Sequence, residues 1–169
     1  MARGADAVSA WDKAIAHVLK HEGGYVDDPH DLGGATNMGI SQRAHPGLDI
    51  KNLTVETATQ IYREQYWRQI KGDGLPEPLA IVLFDSAVNC GISRSVKWLQ
   101  ELVQVMQDGR LGKVTLAAIY RDAARDLAGA HCWRRERHYR MLSTFPRYGK
   151  GWLNRLEDCR RVAGLLKDQ

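Results

Sequence analysis

Residues 79–90 are apolar on every side of a helical turn except at Asp85 and Asn89, which stand one turn apart. A helix without a polar face has to be surrounded by other elements. The rest of the chain must therefore wrap it. The expected fold is mainly α, a helical bundle around a central buried helix, with at most a small β element. Inside such a bundle Asp85 and Asn89 need hydrogen-bond partners, expected from neighbouring backbone or from the floor of a cleft.

The wrapping elements can be placed from spacing and caps. Ser9 reads as an N-cap with Asp12 three residues on, and Trp11, Ile15, Val18 and Leu19 follow at helical spacing. Gly23 and Gly24 stop that helix, which leaves Glu22 in its last turn. Residues 25–47 are too rich in proline and glycine for a long helix; residues 36–41 form a short strand, one arm of a small hairpin. Thr54 caps a helix carrying Val55, Ala58, Ile61, Tyr62 and Tyr66. Residues 72–78 are a breaker-rich link and a boundary between lobes. Ser93 caps a helix running to Met106. Asp108 to Gly112 is a turn, a short helix reaches Ile119, and residues 122–143 and 151–167 are two Arg-rich helices.

The chain of 169 residues suits one domain with a sizeable core. Its longest apolar run, residues 79–84, is too short to cross a bilayer, so no stable membrane insertion is expected. The start shows no apolar stretch after its charge, and no secretory leader is expected there. Cys90, Cys132 and Cys159 are odd in number and widely spaced, which reads as free thiols. Net charge is +4, but residues 131–169 hold 10 Lys+Arg against 4 Asp+Glu, a difference of +6. A basic end points to an anionic partner, either cell-wall polymer, nucleic acid or membrane surface, or else to a solvated face.

The segment from Glu22 to Ser41 sets one glutamate at a helix end and then a turn-rich stretch with carboxylates, a threonine and five glycines. Cleavage of a glycosidic bond needs one carboxylic acid to protonate the leaving oxygen and a second carboxylate to activate water or stabilise the sugar cation. The acid needs partly apolar surroundings, which Val18, Leu19 and Tyr25 can supply around Glu22. Asp31 and Thr36, brought close by Gly33 and Gly34, can pin a water opposite it. The plainer alternatives are a surface glutamate, turn-forming aspartates at 28 and 31 and an ordinary strand threonine.

No other constellation is as complete. His17, His21 and Glu22 run H-x-x-x-H-E, not H-E-x-x-H, so the metalloprotease base is missing. Cys132 and His138 lack further ligands at zinc spacing. No metal and no cofactor is expected. Trp133, Arg134, Arg135, Arg137, His138, Tyr139 and Arg140 form a basic aromatic cluster, but helical spacing spreads it over several faces, and no nucleic acid is expected.

The run EGGYVDDPHDLGGATNMGIS at residues 22–41 resembles the signature of glycoside hydrolase family 108, whose members are N-acetylmuramidases with a lysozyme-like fold. Tyr62, Tyr66 and Trp67 resemble its Tyr and Tyr-Trp positions. Residues 83–91 resemble the join to a second part. That part, with residues 96–100, 108–112, Thr115 and Leu116, is similar to a peptidoglycan-binding domain, and residues 149–155 resemble its closing motif. The resemblance implies a catalytic lysozyme-like region at 8–92 and a helical peptidoglycan-binding-like region at 93–169, packed into one domain.

It further implies that Glu22 is the catalytic acid, because it matches the glutamate of the EGG motif. Phage-type lysozymes, more distant relatives, use Glu, Asp and Thr in that order. Their Asp lies nine residues after the Glu, as Asp31 does here; their Thr lies one residue further on than Thr36. Met38 stands where the family commonly has an aromatic. Tyr25, Asn37, Tyr62, Trp67 and Asn89 are the expected substrate contacts, with a core role open for Tyr62 and Trp67. The implied reaction is cleavage of the β-1,4 bond between N-acetylmuramic acid and N-acetylglucosamine in bacterial peptidoglycan, by a monomer that reaches the wall through a holin lesion or a dedicated exporter. The alternatives are a non-catalytic peptidoglycan-binding module and a basic DNA-associated helical protein.

Overall fold

The computed structural model describes residues 8–27, 34–121 and 124–167. Seven helices and one hairpin follow in the order α1 (Ala10–His21), β1 (Thr36–Asn37), β2 (Ile40–Ser41), α2 (Val55–Tyr62), α3 (Glu77–Cys90), α4 (Ile92–Leu102), α5 (Lys113–Ile119), α6 (Ala124–Met141) and α7 (Phe145–Val162). The molecule is mainly α with one small antiparallel sheet, Thr36 opposite Ser41 and Asn37 opposite Ile40.

The apolar stretch is α3, and it is the centre of the fold. Every residue from Leu79 to Ala87 is buried, with α1, α4, α6 and α7 packed around it. One hydrophobic cluster runs from Ala14 to Ala163, joining both regions in one core. Each large side chain withdrawn from water there stabilises the fold by about 1.5–3 kcal/mol.

Local signals explain the element ends. Ser9 caps α1 with Asp12 in a reciprocal capping box, and Thr54 caps α2. Residues 36–41, expected as one strand, instead hold both arms of the hairpin, because Met38 and Gly39 take positive φ at the two central turn positions, the conformation a two-residue hairpin needs. Beyond α2 the chain makes a wider turn, with Arg68 N–H donating to the Arg63 carbonyl, which places Trp67 in the core.

Two expected helices differ. Instead of starting at a Ser93 cap, α4 begins at Ile92, directly after Gly91. That single residue, at φ 89°, ends α3 and starts α4. The helix stops at Leu102, not at Met106, because Gln104 turns to positive φ and the Gln100 side chain gathers the following loop through Asp108, Arg110 and the Gly109 N–H. Helix α7 starts at Phe145, six residues earlier than expected, and contains Gly149 and Gly151. Gly149 belongs there because a Cβ would sit 2.6 Å from the Phe145 ring.

Candidate active site

Glu22 is the residue at which α1 ends. Its N–H still donates to Val18, while its own backbone is already extended. The next residues turn back toward the hairpin: Val26 and Thr36 exchange both backbone bonds at 2.8 Å, and Met38 N–H donates to the Gly23 carbonyl at 2.9 Å. The hairpin turn is thereby laid on the helix end. Gly39 lies against the Glu22 carboxylate so closely that a Cβ there would stand 2.6 Å from Oε2 and would also clash with the Tyr62 hydroxyl. Tyr62 donates that hydroxyl to the Met38 carbonyl at 2.9 Å, fixing the turn from below.

The other carboxylate oxygen of Glu22 is held from the far end of the chain. Arg155 on α7 donates from Nη1 to Oε1 at 2.7 Å, and from Nε to Asp85 Oδ1 at 2.8 Å. Asp85, on the buried α3, also accepts from Arg135 Nη1 at 2.5 Å, and His17 Nε2 lies 3.3 Å from its Oδ1. Glu22, Arg155, Asp85 and Arg135 thus form one linked cluster, buried except at Glu22. Burial pushes the Asp85 carboxyl up, but Arg135, the His17 hydrogen bond and Arg155 together hold it well below the carboxylate range. Burial likewise opposes the Arg155 charge, and Asp85 followed by Glu22 overcomes it, raising that guanidinium above its ordinary value. Glu22 is oriented on Oε1, while its side chain remains 20% exposed.

Tyr62 and Tyr66 flank the same carboxylate. Burial first, and the Glu22 charge second, raise both phenols, so both stay neutral.

The other expected site residues divide. Thr36 opens β1, half-buried, with its hydroxyl 3.4 Å from the Gly34 carbonyl. Tyr25 is 41% exposed and donates to Asp27 at 3.2 Å. Asn89 is exposed at the end of α3 and accepts from the Tyr139 hydroxyl. Asn37 is buried and donates to the Ile50 carbonyl at 3.0 Å, so it anchors the loop after the hairpin. Trp67 is 1% exposed, packed edge-on to Trp11 and Phe84, with its N–H given to Asp73; it is a core residue without a free ring face. Tyr62 is also buried and acts through its hydroxyl. Asp28 and Asp31 lie outside the described residues.

Arg155 is the member of the site to which the sequence reading assigned no role. The available signal was Asp85, an acid in an apolar helix that requires a buried cation from one of the Arg-rich helices; ten Lys and Arg in those residues hid which one.

Two other features are settled by geometry. His17, Asp85 and Cys159 bring ligand atoms within 4.8 Å of one another, but the two guanidiniums on Asp85 repel a cation. Burial, then Asp85, also pushes the Cys159 thiol well above its ordinary value, so the trio does not suit a metal. The basic end of the chain is not one patch. Arg135 and Arg155 are buried, Arg134 pairs with Glu101 at 2.9 Å, and Arg140 and Arg160 share Glu136 at 2.8 and 3.0 Å. These pairs divide the arginines, but because Arg140 and Arg160 share one carboxylate, residues 131–169 keep their excess of +6. Among the described residues no helix is long and apolar enough to cross a membrane.

Residues 15–91 match the family model described as Glycosyl hydrolase 108, and residues 94–157 match the one described as Predicted Peptidoglycan domain. The solved structure of SagA from Brucella abortus is similar to this chain at 41% identity, over 94% of this chain and 96% of that one, with a TM-score of 0.81. No curated protein matches the chain.

Proposed function

This chain belongs to glycoside hydrolase family 108 and is a peptidoglycan-related glycoside hydrolase with a mainly α, lysozyme-like fold, and from that premise we propose that it is an N-acetylmuramidase in which Glu22 is the proton donor. The observation that carries this reading is the divided environment of the Glu22 carboxylate. Arg155 holds Oε1, while Oε2 lies beneath the Gly39 turn in a side chain that solvent still reaches.

In this reading the glycan strand crosses the helix end. Oε2 delivers a proton to the oxygen of the β-1,4 bond between N-acetylmuramic acid and N-acetylglucosamine as that bond breaks. Positive charge grows on the sugar ring, and Asp31 is the second carboxylate, stabilising it or activating water, with Thr36 assisting. Arg155 keeps Glu22 in one rotamer, so orientation is in place before the strand arrives. Tyr25 and Tyr66 border the strand. The enzyme works at the cell wall, reached through a membrane lesion or a dedicated exporter.

The test is lysis of purified bacterial walls. Glu22→Gln keeps shape but lacks the transferable proton, and turnover is expected to fall by about 10²-fold or more with unchanged circular dichroism. Asp31→Asn is expected to lower kcat more than affinity, with Asp27→Asn and Asp28→Asn as comparators. A folded Glu22→Gln protein that lyses walls at the parental rate would sink the assignment. Wall binding without release of reducing sugar by the parent protein would favour the second reading, a non-catalytic wall-binding module, which the match at residues 94–157 supports.

A further inference from the structure

Helix α7 carries more than Arg155 toward this site. Positions 148, 151, 152 and 155 follow the spacing i, i+3, i+4, i+7 and share one face. At one end Arg155 bonds Glu22. Trp152 stands roughly 4.5 Å along the axis from it and Tyr148 roughly 10.5 Å. Trp152 is half-buried, its inner side stacked on the buried Tyr139 ring at 5.2 Å and 30°. Tyr148 continues the series at 5.9 Å and 33° from Trp152, carries the Arg147 guanidinium 5.1 Å from its ring centre, and is 46% exposed. Three rings therefore step from the core to the surface with small tilts between neighbours. Tyr139 joins the series to α3 by donating to the exposed Asn89.

Between the two outer rings lies Gly151. A glycine inside a helix is unfavourable, because it brings only backbone freedom that folding must remove. Gly149 has a reason within the protein, the Phe145 ring. Gly151 has none: it is exposed, its φ is not positive, and a Cβ there would meet nothing within 4 Å. Its effect is to leave a strip of bare backbone between Tyr148 and Trp152, open to close approach by something outside the chain.

We propose that Tyr148, Gly151 and Trp152 form a sugar-binding subsite of the glycan cleft, taking an N-acetylhexosamine ring of the peptidoglycan strand next to the bond served by Glu22. The inference rests on the hydrolase reading above and deepens it. Aromatic faces suit the apolar C–H face of a pyranose, and the Tyr148 hydroxyl and Asn89 amide offer neutral polar partners for its hydroxyl and acetamido groups. The subsite lies on the helix that positions Glu22, so a ring bound there sets the register of the strand against the proton donor.

The test uses the full chain and two exposed-face variants, Tyr148→Ala and Gly151→Gln. Binding is measured in a Glu22→Gln background, so that the strand is not consumed, with peptide-free glycan strands from bacterial walls as the probe and tryptophan fluorescence as the readout. Wall-lysis kinetics are measured separately in the parental background. Each variant is expected to weaken binding about tenfold, in line with loss of one stacked contact, and to raise KM with kcat within about twofold. Gly151→Gln adds a helix-favouring residue in open space, so its Tm should rise while its affinity falls. A purely structural glycine gives the higher Tm with unchanged affinity, and that outcome overturns the proposal. So does binding within twofold of the parent for both folded variants, or no binding of strands by the parent. If the variants bind weakly but the parental protein releases no reducing sugar, the subsite stands and the hydrolase reading falls. If the parent lyses walls and the variants bind normally, the reverse holds.

Discussion

Arg155 and Glu22 are 133 positions apart in the chain and 2.7 Å apart in space. The same guanidinium reaches Asp85 in the centre of the fold, so the rotamer of the proposed proton donor is tied to a fully buried acid. The fork shape of arginine makes this possible: Nη1 and Nε leave the group in different directions.

A lysine cannot serve both carboxylates, having one compact charge in place of a fork. Arg155→Lys is therefore expected to keep the fold but lower kcat for wall lysis by about 10- to 100-fold, with KM little changed, because Glu22 loses its fixed orientation. Steady-state kinetics with circular dichroism check this; an unchanged kcat would remove Arg155 from the machinery.

Asp85→Asn leaves Arg135 and Arg155 buried without their shared counter-charge. Removing one partner of a buried ion pair costs about 3–5 kcal/mol, read as a lower urea midpoint at constant slope. Lys13→Ala is the contrasting control. It breaks an exposed pair with Glu77 and should cost less than about 1 kcal/mol.

Gly39→Ala places a methyl group at φ 74° against the Glu22 carboxylate and the Tyr62 hydroxyl. The strain at a positive φ is about 1–2 kcal/mol, a modest stability loss. The displaced carboxylate should cost more than tenfold in turnover. Thermal melts and lysis rates on the same preparation separate the two effects, and parental turnover would show that the hairpin turn does not govern Glu22.

Acid should weaken the fold at His131. Burial, above all else, pushes this imidazole down from 6.5 to about 4; its Nε2 donates to the Ser95 carbonyl at 3.0 Å. The unfolded chain takes up a proton below 6.5 that the native state refuses until about 4. The stabilisation is thus complete above the unfolded value and is lost as pH falls toward the native one. At about 1.4 kcal/mol per unit, the whole effect is about 3 kcal/mol. Denaturant midpoints across this window should flatten in His131→Gln; an unchanged slope would assign the acid sensitivity elsewhere.

Much of the fold is written in local chemistry. The central helix was legible because residues 79–90 leave no face for water. The starts of α1 and α2 were legible because Ser9 and Thr54 satisfy free N–H groups within their own first turns. Glu22 was legible as a helix-end acid for the same reason: the glycines after it admit no further turn. Where local signals compete, the reading slipped. The last helix was expected to start at Gly151, yet α7 begins at Phe145 and runs through Gly149, which makes room for the Phe145 ring. Trp67 was open by type to a sugar contact or a core role, and packing turned it inward.

The sequence by itself determined the central helix, the acid at the end of α1 and the tight turn that follows it, because each depends on neighbours within a few residues. Only the tertiary structure decided which of the many arginines reaches Glu22, and that Asp85 holds the other end of that contact together with Arg135. Those pairings join residues 50 to 133 positions apart; burying α3 among four helices brings them together, and the charge and fork geometry of the paired side chains then fix the contact.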